Sequence, residues 1–360
     1  MNSPWLKHMF AEKHYPEILL PAELDTYLAK GWYRMGQTIF TTHFLCFGEQ
    51  FYSAIWVRLP LDGYVFRKSL RKLVNRNDKL FRTEFGSVTL SREKEKLYLR
   101  YKAFFPGVLA SSLKDALLDG EENNIYDTKE VRVYDGDKLI AASFFDIGKN
   151  TAASILGMYD PDYQRHSLGF YTMLLEIHYC QQAGIPYYYP GYVVPGYSRF
   201  DYKLRIGEVE YYDLRSAQWQ PYRELHPGDI PIETMRRRLE ALQSELGNLQ
   251  VPSKVLYYPL FEANLFSFWR AAYFDYPVLL HCYPTAAAHY SYIVAYDVRE
   301  EAYVLFKCSP FEDVQVLINE AYLMRLDRDR YFAKLLVVDQ KLWQTNVARE
   351  IAGILRMMST

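Results

Sequence analysis

From Arg67 to Lys79 the chain carries Arg67, Lys68, Arg71, Lys72, Arg76 and Lys79, with Asp78 the only acid. Leu70, Leu73 and Val74 recur there at i, i+3 and i+4, which predicts a helix. Lys68, Lys72 and Arg76 fall four apart and share one face of it. Affinity for nucleic acid comes chiefly from Lys and Arg neutralising phosphates. Arg67, Lys68, Arg71, Lys72 and Arg76 are therefore candidate phosphate contacts, with a merely solvated helix face as the other reading. Elsewhere the reactive residue types are sparse. His166 and His178 have no partner at catalytic spacing, Asp160 and Asp162 are typical turn formers around Pro161, and Asp146 stands alone at a strand end. Cys46, Cys180, Cys282 and Cys308 are scattered with no metal-ligand spacing.

The elements that must position such groups are legible in the middle of the chain. Glu130 to Asp135 is β-rich, Asp135-Gly136 is a hairpin turn, Lys138 to Asp146 resumes the strand, and Gly148-Lys149-Asn150 turns into Ala152 to Tyr159. A turn over Tyr159 to Tyr163 leads to a helix beginning near Ser167-Leu168-Gly169, with Leu168, Tyr171, Leu174 and Leu175 on its apolar face. Gly184 and Pro186 end it, and strands at Tyr187 to Val194 and Val209 to Leu214 follow. Antiparallel strands, a helix entered from a glycine-containing turn, then a strand: this is the order of a GNAT-type acyltransferase core.

Around that core we expect a small N-terminal lobe, with a helix near Glu23 to Lys30 and strands near Gln37 to Phe47 and Tyr52 to Leu59. Gln220 to Pro231 reads as a linker, Thr234 to Leu246 as an exposed amphipathic helix, and the rest as an accessory α+β unit closing on a helix from about Gln340 to Met357. The expected fold class is mixed α/β (α+β), divided into residues 1–65, 66–218 and 219–360. A length of 360 residues suits two or three domains.

Composition excludes more than it selects. Hydrophobic residues make up 50% and charged residues 24%, which argues against disorder. A net charge of -1 means that a polyanion must be met by a local patch. Aromatic residues reach 17%; core packing accounts for most of them, although aromatic faces also stack on bases. The charge-free run Tyr276 to Tyr296 contains Pro277, Pro284, His281 and His289, so it is not read as a membrane span. Met1 to Leu20 mixes charges among its apolar residues, unlike a signal peptide. We expect a reduced, cytoplasmic chain with no membrane partner.

Tyr159-Asp-Pro-Asp-Tyr163, Ser167-Leu-Gly169-Phe-Tyr171, the run Ile185 to Tyr192 and Tyr202-Lys203 resemble the catalytic region of aminoacyl-tRNA-protein transferases, the arginyl-transferases and their bacterial leucyl-transferase relatives. Leu28 to Arg34 and Ser69 to Asn77 resemble the same family's N-terminal region and arginine-rich helix. Asp146 matches a family aspartate. The likeness covers roughly residues 20 to 215. Where the family carries a cysteine cluster, Thr41 to Glu49 offers only Cys46, so no metal cluster and no cofactor are expected.

The resemblance implies transfer of an amino acid from arginyl- or leucyl-tRNA to the α-amine of proteins beginning with Asp or Glu. It implies substrate binding by Tyr159, Asp160, Asp162, Tyr163, Ser167, Leu168, Gly169, Tyr171 and Tyr192, and catalysis by Asp146, Tyr202 and Lys203. Lys203 is the expected cation for the acidic acceptor, with Arg199 and Arg205 able to share the task. Asp146 would orient the amine or relay its proton. The residues' own chemistry is compatible: an aminoacyl ester is already activated, and an α-amine near pKa 7.7 to 8.0 needs little help. Two alternatives remain, an acetyl-coenzyme A-dependent N-acetyltransferase and a non-catalytic binder of tRNA or protein N-termini. The first is disfavoured because Gln164 to Gly169 keeps a single glycine for a pyrophosphate cradle.

Overall fold

The computed structural model describes residues 9–266, 271–282, 290–311, 323 and 325–359. Residues 1–8 of the N-terminal stretch and 283–289 of the charge-free run lie outside them. Among the described residues, no helix is long and apolar enough to cross a membrane.

The N-terminal segment folds as β1 (Ala11–His14), α1 (Pro21–Leu28), β2 (Tyr33–Met35), β3 (Thr38–Thr42), β4 (Phe44–Phe47), β5 (Gln50–Ser53) and β6 (Ile55–Pro60). β1, β3 and β2 form one small sheet, and β4 and β5 a hairpin. Each of the two expected strands is thus broken into two, and β6 leaves the lobe to join the main sheet.

The core continues with α2 (Lys68–Asp78), β7 (Arg82–Ser87), α3 (Arg92–Phe104), α4 (Leu113–Leu118), β8 (Thr128–Asp135), β9 (Lys138–Ile147), β10 (Thr151–Tyr159), α5 (Leu168–Gln182), β11 (Tyr187–Val193), β12 (Glu210–Asp213) and β13 (Gln218–Pro221). These strands and β6 make an eight-stranded sheet in the order β13-β12-β6-β11-β10-β9-β8-β7. All neighbours are antiparallel except β10 and β11, the pair joined through the crossover helix α5. Strand order, the parallel pair and its crossover give the core its GNAT-like character.

α5 is buried because its sequence is apolar nearly all round. Leu168, Tyr171, Leu174 and Ile177 are fully covered between the sheet and α2. On the sheet's other face α3 and α4 cover Leu139, Ala142 and Phe144.

α6 (Pro231–Asn248) precedes a five-stranded antiparallel sheet of β14 (Ser253–Tyr257), β15 (Val278–Cys282), β16 (Ser291–Asp297), β17 (Ala302–Pro310) and β18 (Leu336–Thr345), and α7 (Ala348–Ser359) ends the chain's described part. Two expectations are corrected here. α6 is exposed on one face only, since Met235, Leu239, Leu242 and Leu246 are fully buried in the C-terminal core. The expected final helix from Gln340 is a strand as far as Thr345: ladder pairing along β17 from Tyr303↔Thr345 to Pro310↔Leu336 outweighs local preference. The C-terminal unit is sewn to the N-terminal lobe. Phe10 and Phe44 belong to its core, Phe10 N donates to Asp275, and Ile232 N donates to the Ser53 hydroxyl.

Candidate active site

β10 and β11 pair only over Thr151–Ala153 and Tyr187–Tyr189, then part. At the fork the Tyr33 hydroxyl, brought in by β2, reaches the Ser154 carbonyl oxygen and lies 2.7 Å from that of Tyr189. Its ring stacks on Trp56, centroids 5.3 Å apart. A register shift between Ser154 and Leu156 bends β10 away. Beyond the fork a cleft of about 560 Å³ opens between β10, β11, the start of α5 and a 3₁₀ segment at Ser198–Arg205. Tyr159, Gly169, Tyr192, Tyr202 and Lys203 all line it.

Lys203 is 9% exposed. Its Nζ donates to the Tyr192 carbonyl at 2.9 Å and stands 5.2 Å from the centroids of the Tyr192 and Phe200 rings. It makes no ion pair among the described residues. Burial therefore acts unopposed on the ammonium and pulls its pKa down to about 7. Space for it is reserved by Gly191, which has φ +94° and whose missing Cβ would lie 3.0 Å from Nζ. Arg199 lines the same cleft, stacks over Phe105 at 4.3 Å and carries a buried Nη2 without a hydrogen bond among the described residues.

Glu176, which sequence reasoning passed over, is 1% exposed and lines the cleft from α5. Its Oε2 accepts from the Tyr188 hydroxyl at 2.7 Å, while Oε1 has no hydrogen-bond partner among the described residues. Burial raises its pKa to about 7, with the Ser143, Tyr188 and Ser154 hydroxyls pulling the other way. The signal was present: Gly169, Thr172, Met173 and Glu176 fall at i, i+3, i+4 and i+7, an acid on an otherwise apolar helix face. Tyr33 and Trp56 carried no comparable mark, because only the folded lobe brings them to the fork.

α2 lies beside this cleft with Arg67, Lys68, Arg71, Lys72 and Arg76 all exposed. It is anchored at both ends. Arg67 Nη2 donates to the Arg205 carbonyl at 2.8 Å, and Asn77 Nδ2 to the His166 carbonyl at 3.0 Å, just before α5. Arg205 in turn stacks at 5.0 Å on Phe170, a cleft residue, so the start of α2 is tied to the cleft's edge through Arg67.

Residues 93–213 match the family described as arginine-tRNA-protein transferase, C terminus. The chain is 30% identical over 195 residues to an aspartate/glutamate leucyltransferase of Leptospira interrogans, covering 52% of this chain and 74% of that protein. The chain belongs to the aminoacyl-tRNA-protein transferase family. A Vibrio cholerae aspartate/glutamate leucyltransferase is 28% identical over 196 residues, covering 53% of this chain and 80% of that protein. Among solved structures, the ribosomal-protein-S18-alanine N-acetyltransferase of Escherichia coli is similar at TM-score 0.23 and 15% identity, over 29% of this chain and 63% of that one. The protein is an aminoacyltransferase.

This aminoacyl-tRNA-protein transferase keeps several expected site residues away from the cleft. Asp146 is fully buried: its Oδ1 accepts from Arg34 Nη1 at 2.8 Å and from the Thr128 hydroxyl, so the carboxylate holds a guanidinium and does not face the cleft. Arg34, over the Tyr126 ring at 4.5 Å, is the partner that reaches the cleft wall. Asp160 caps the 3₁₀ turn Pro161–His166 and pairs with Arg100 at 2.9 Å and Lys138 at 2.8 Å. Asp162 pairs with Arg100 on the surface, and the Tyr163 hydroxyl donates to Asp135. Ser167, left-handed at φ 54°, enters α5; Leu168 is core, and the Tyr171 hydroxyl donates to Asp78 of α2. These six set the position and entry of α5. Asp160, Asp162, Tyr163 and Tyr171 spend their polar groups on neighbours and Leu168 its apolar surface on the core, while the exposed Ser167 contributes its left-handed backbone.

Proposed function

We propose that this transferase moves leucine from leucyl-tRNA onto the α-amine of proteins whose first residue is Asp or Glu. Lys203 carries the reading. It is a buried cation lacking a carboxylate, set at the mouth of the parted strands, where an acidic side chain next to the attacking amine would complete an ion pair. A carboxylate arriving within ion-pair distance would restore the ammonium's charge. The relatives named aspartate/glutamate leucyltransferases support the acceptor class and the donor, and Ile155, Leu156, Phe170 and Met173 give the cleft an apolar wall fitted to a leucyl side chain. Tyr202, beside Lys203, and Tyr159, Gly169 and Tyr192 would shape the acceptor's path.

In this reading tRNA lies along α2 and its aminoacylated end enters past Phe170 and Arg205. The acceptor amine attacks the ester carbonyl, a C–N bond forms, and the terminal ribose oxygen leaves. Positioning supplies most of the acceleration, because the ester is already activated. Residues 1–65 would then serve as the lobe that builds the cleft's far wall, 66–218 as the transferase core, although β6 already lies in the main sheet, and 219–360 as an accessory unit.

Incubation with leucyl-tRNA or arginyl-tRNA and peptides beginning with Asp, Glu or Ala, read by intact mass, tests the reading. Addition of leucine to the acidic peptides is expected. Addition of arginine alone would change the donor, and acetylation from acetyl-coenzyme A without either transfer would replace the function. For the tRNA contact, Arg71→Glu with Arg76→Glu should weaken tRNA binding and lower the slope of log affinity against log salt by about one unit per lost phosphate contact. An unchanged slope would make α2 a merely solvated face.

A further inference from the structure

We propose that the Glu176 carboxylate accepts the proton from the attacking amine and returns it to the departing ribose oxygen of the tRNA. The proposal rests on the aminoacyl-transfer reading above. Its geometric basis is the fork. Glu176 projects from α5 to the point where β10 and β11 part, and Ser143 of β9 and Ser154 of β10 line the cleft around it. One carboxylate oxygen is fixed by the Tyr188 hydroxyl at 2.7 Å; the other is buried, with the Ser143 and Ser154 hydroxyls beside the carboxylate. Glu176 lines the cleft in which an amine and an ester carbonyl would meet.

The step closes without another reactant. Amine nitrogen bonds to the carbonyl carbon, giving a tetrahedral adduct with a positively charged nitrogen. That nitrogen's proton passes to Glu176. The carbon–oxygen bond to the ribose then breaks, the oxygen takes the proton back, and Glu176 is a carboxylate again.

The surroundings keep other bases out. Tyr33 from the N-terminal lobe, Tyr188 from β11, Tyr202 from the 3₁₀ segment and Cys180 on α5 itself are all pushed upward by burial and by Glu176, so they stay neutral near pH 7. Lys203 is the remaining group of the cleft that changes charge in that range. A base with a pKa close to that of the amine it serves transfers protons with little loss in either direction.

The test is the pH dependence of single-turnover transfer with leucyl-tRNA and an Asp-initiated peptide, for the parent, Glu176→Gln and Glu176→Asp. The parent should show a limb rising with pH through about 7. Glu176→Gln should be slower by roughly 10²–10⁴-fold, with its remaining rate following the free amine near 7.7 to 8.0. Glu176→Asp should recover part of the rate and the lower limb, and tRNA affinity should hold in both. A Gln variant that transfers at the parental rate at every pH overturns the assignment while leaving the function standing. So does a Gln variant whose only change is its choice between leucine and arginine, which would make Glu176 a donor-binding group. A parent that transfers from no charged tRNA removes both.

Discussion

Lys203→Met is expected to raise thermal stability while ending preference for acidic N-termini. Holding this ammonium pKa near 7 instead of 10.5 corresponds to a folded-state penalty on the order of 5 kcal/mol. Losing the hydrogen bond to the Tyr192 carbonyl returns about 1 kcal/mol of that. The sign follows from proton binding. Between pH 7 and 10.5 the unfolded chain keeps a proton on Lys203 that the folded one has released, so the parent gains stability as pH rises through this window. The advantage of the Met variant should accordingly be largest below pH 7 and shrink toward pH 10, as read by urea unfolding at both ends. In the parent, KM for Asp- and Glu-initiated acceptors should rise above pH 7 as the ammonium is lost. A Met variant that is no more stable than the parent at pH 6, or that keeps the acidic preference, would refute the role given to this lysine.

Asp146→Ala should cost about 3–5 kcal/mol, because it leaves the Arg34 guanidinium buried without its carboxylate. Transfer should fall through collapse of the cleft wall, so melting temperature and activity should drop together. Replacing both partners, Arg34→Met with Asp146→Leu, should recover most of the stability. The measurement is a denaturant midpoint for each single variant and the double. If Asp146→Ala melts like the parent and yet transfers nothing, the aspartate belongs to the chemistry after all.

The passage from β8 to β11 could be read in advance because its signals are local: Asp135-Gly136 turns the hairpin, and Gly184 and Pro186 stop α5. The C-terminal unit was less legible. Leu336 to Thr345 has no strong local preference and becomes a strand through its ladder with β17, while the apolar stripe of α6 looks the same whether it meets solvent or a sheet that begins after Ser253. At the site, the Tyr202-Lys203 pair could be picked out by likeness, but the burial of Lys203 could not. The cover is Tyr192 and Phe200, folded over Lys203 by a segment whose conformation depends on β11. Glu176 was marked in the sequence as an acid on an apolar helix face, but what that face meets became clear only once the helix was placed against the fork. Asp146 was misread for the opposite reason: its neutralising partner, Arg34, lies 112 residues away.

The Tyr33 hydroxyl meets its two carbonyl oxygens across 121 and 156 residues of chain. During synthesis the phenol leaves the ribosome long before either acceptor exists, and the fork cannot be set until Tyr189 has emerged. Parallel pairing of β10 with β11 must likewise await the whole of α5. Closures of such span are slow steps in folding. The hairpins β4–β5 and β8–β9 can form early, whereas the catalytic opening is among the last features to take shape, and a nascent chain is inert as a transferase until the lobe made first has docked on the strand made later.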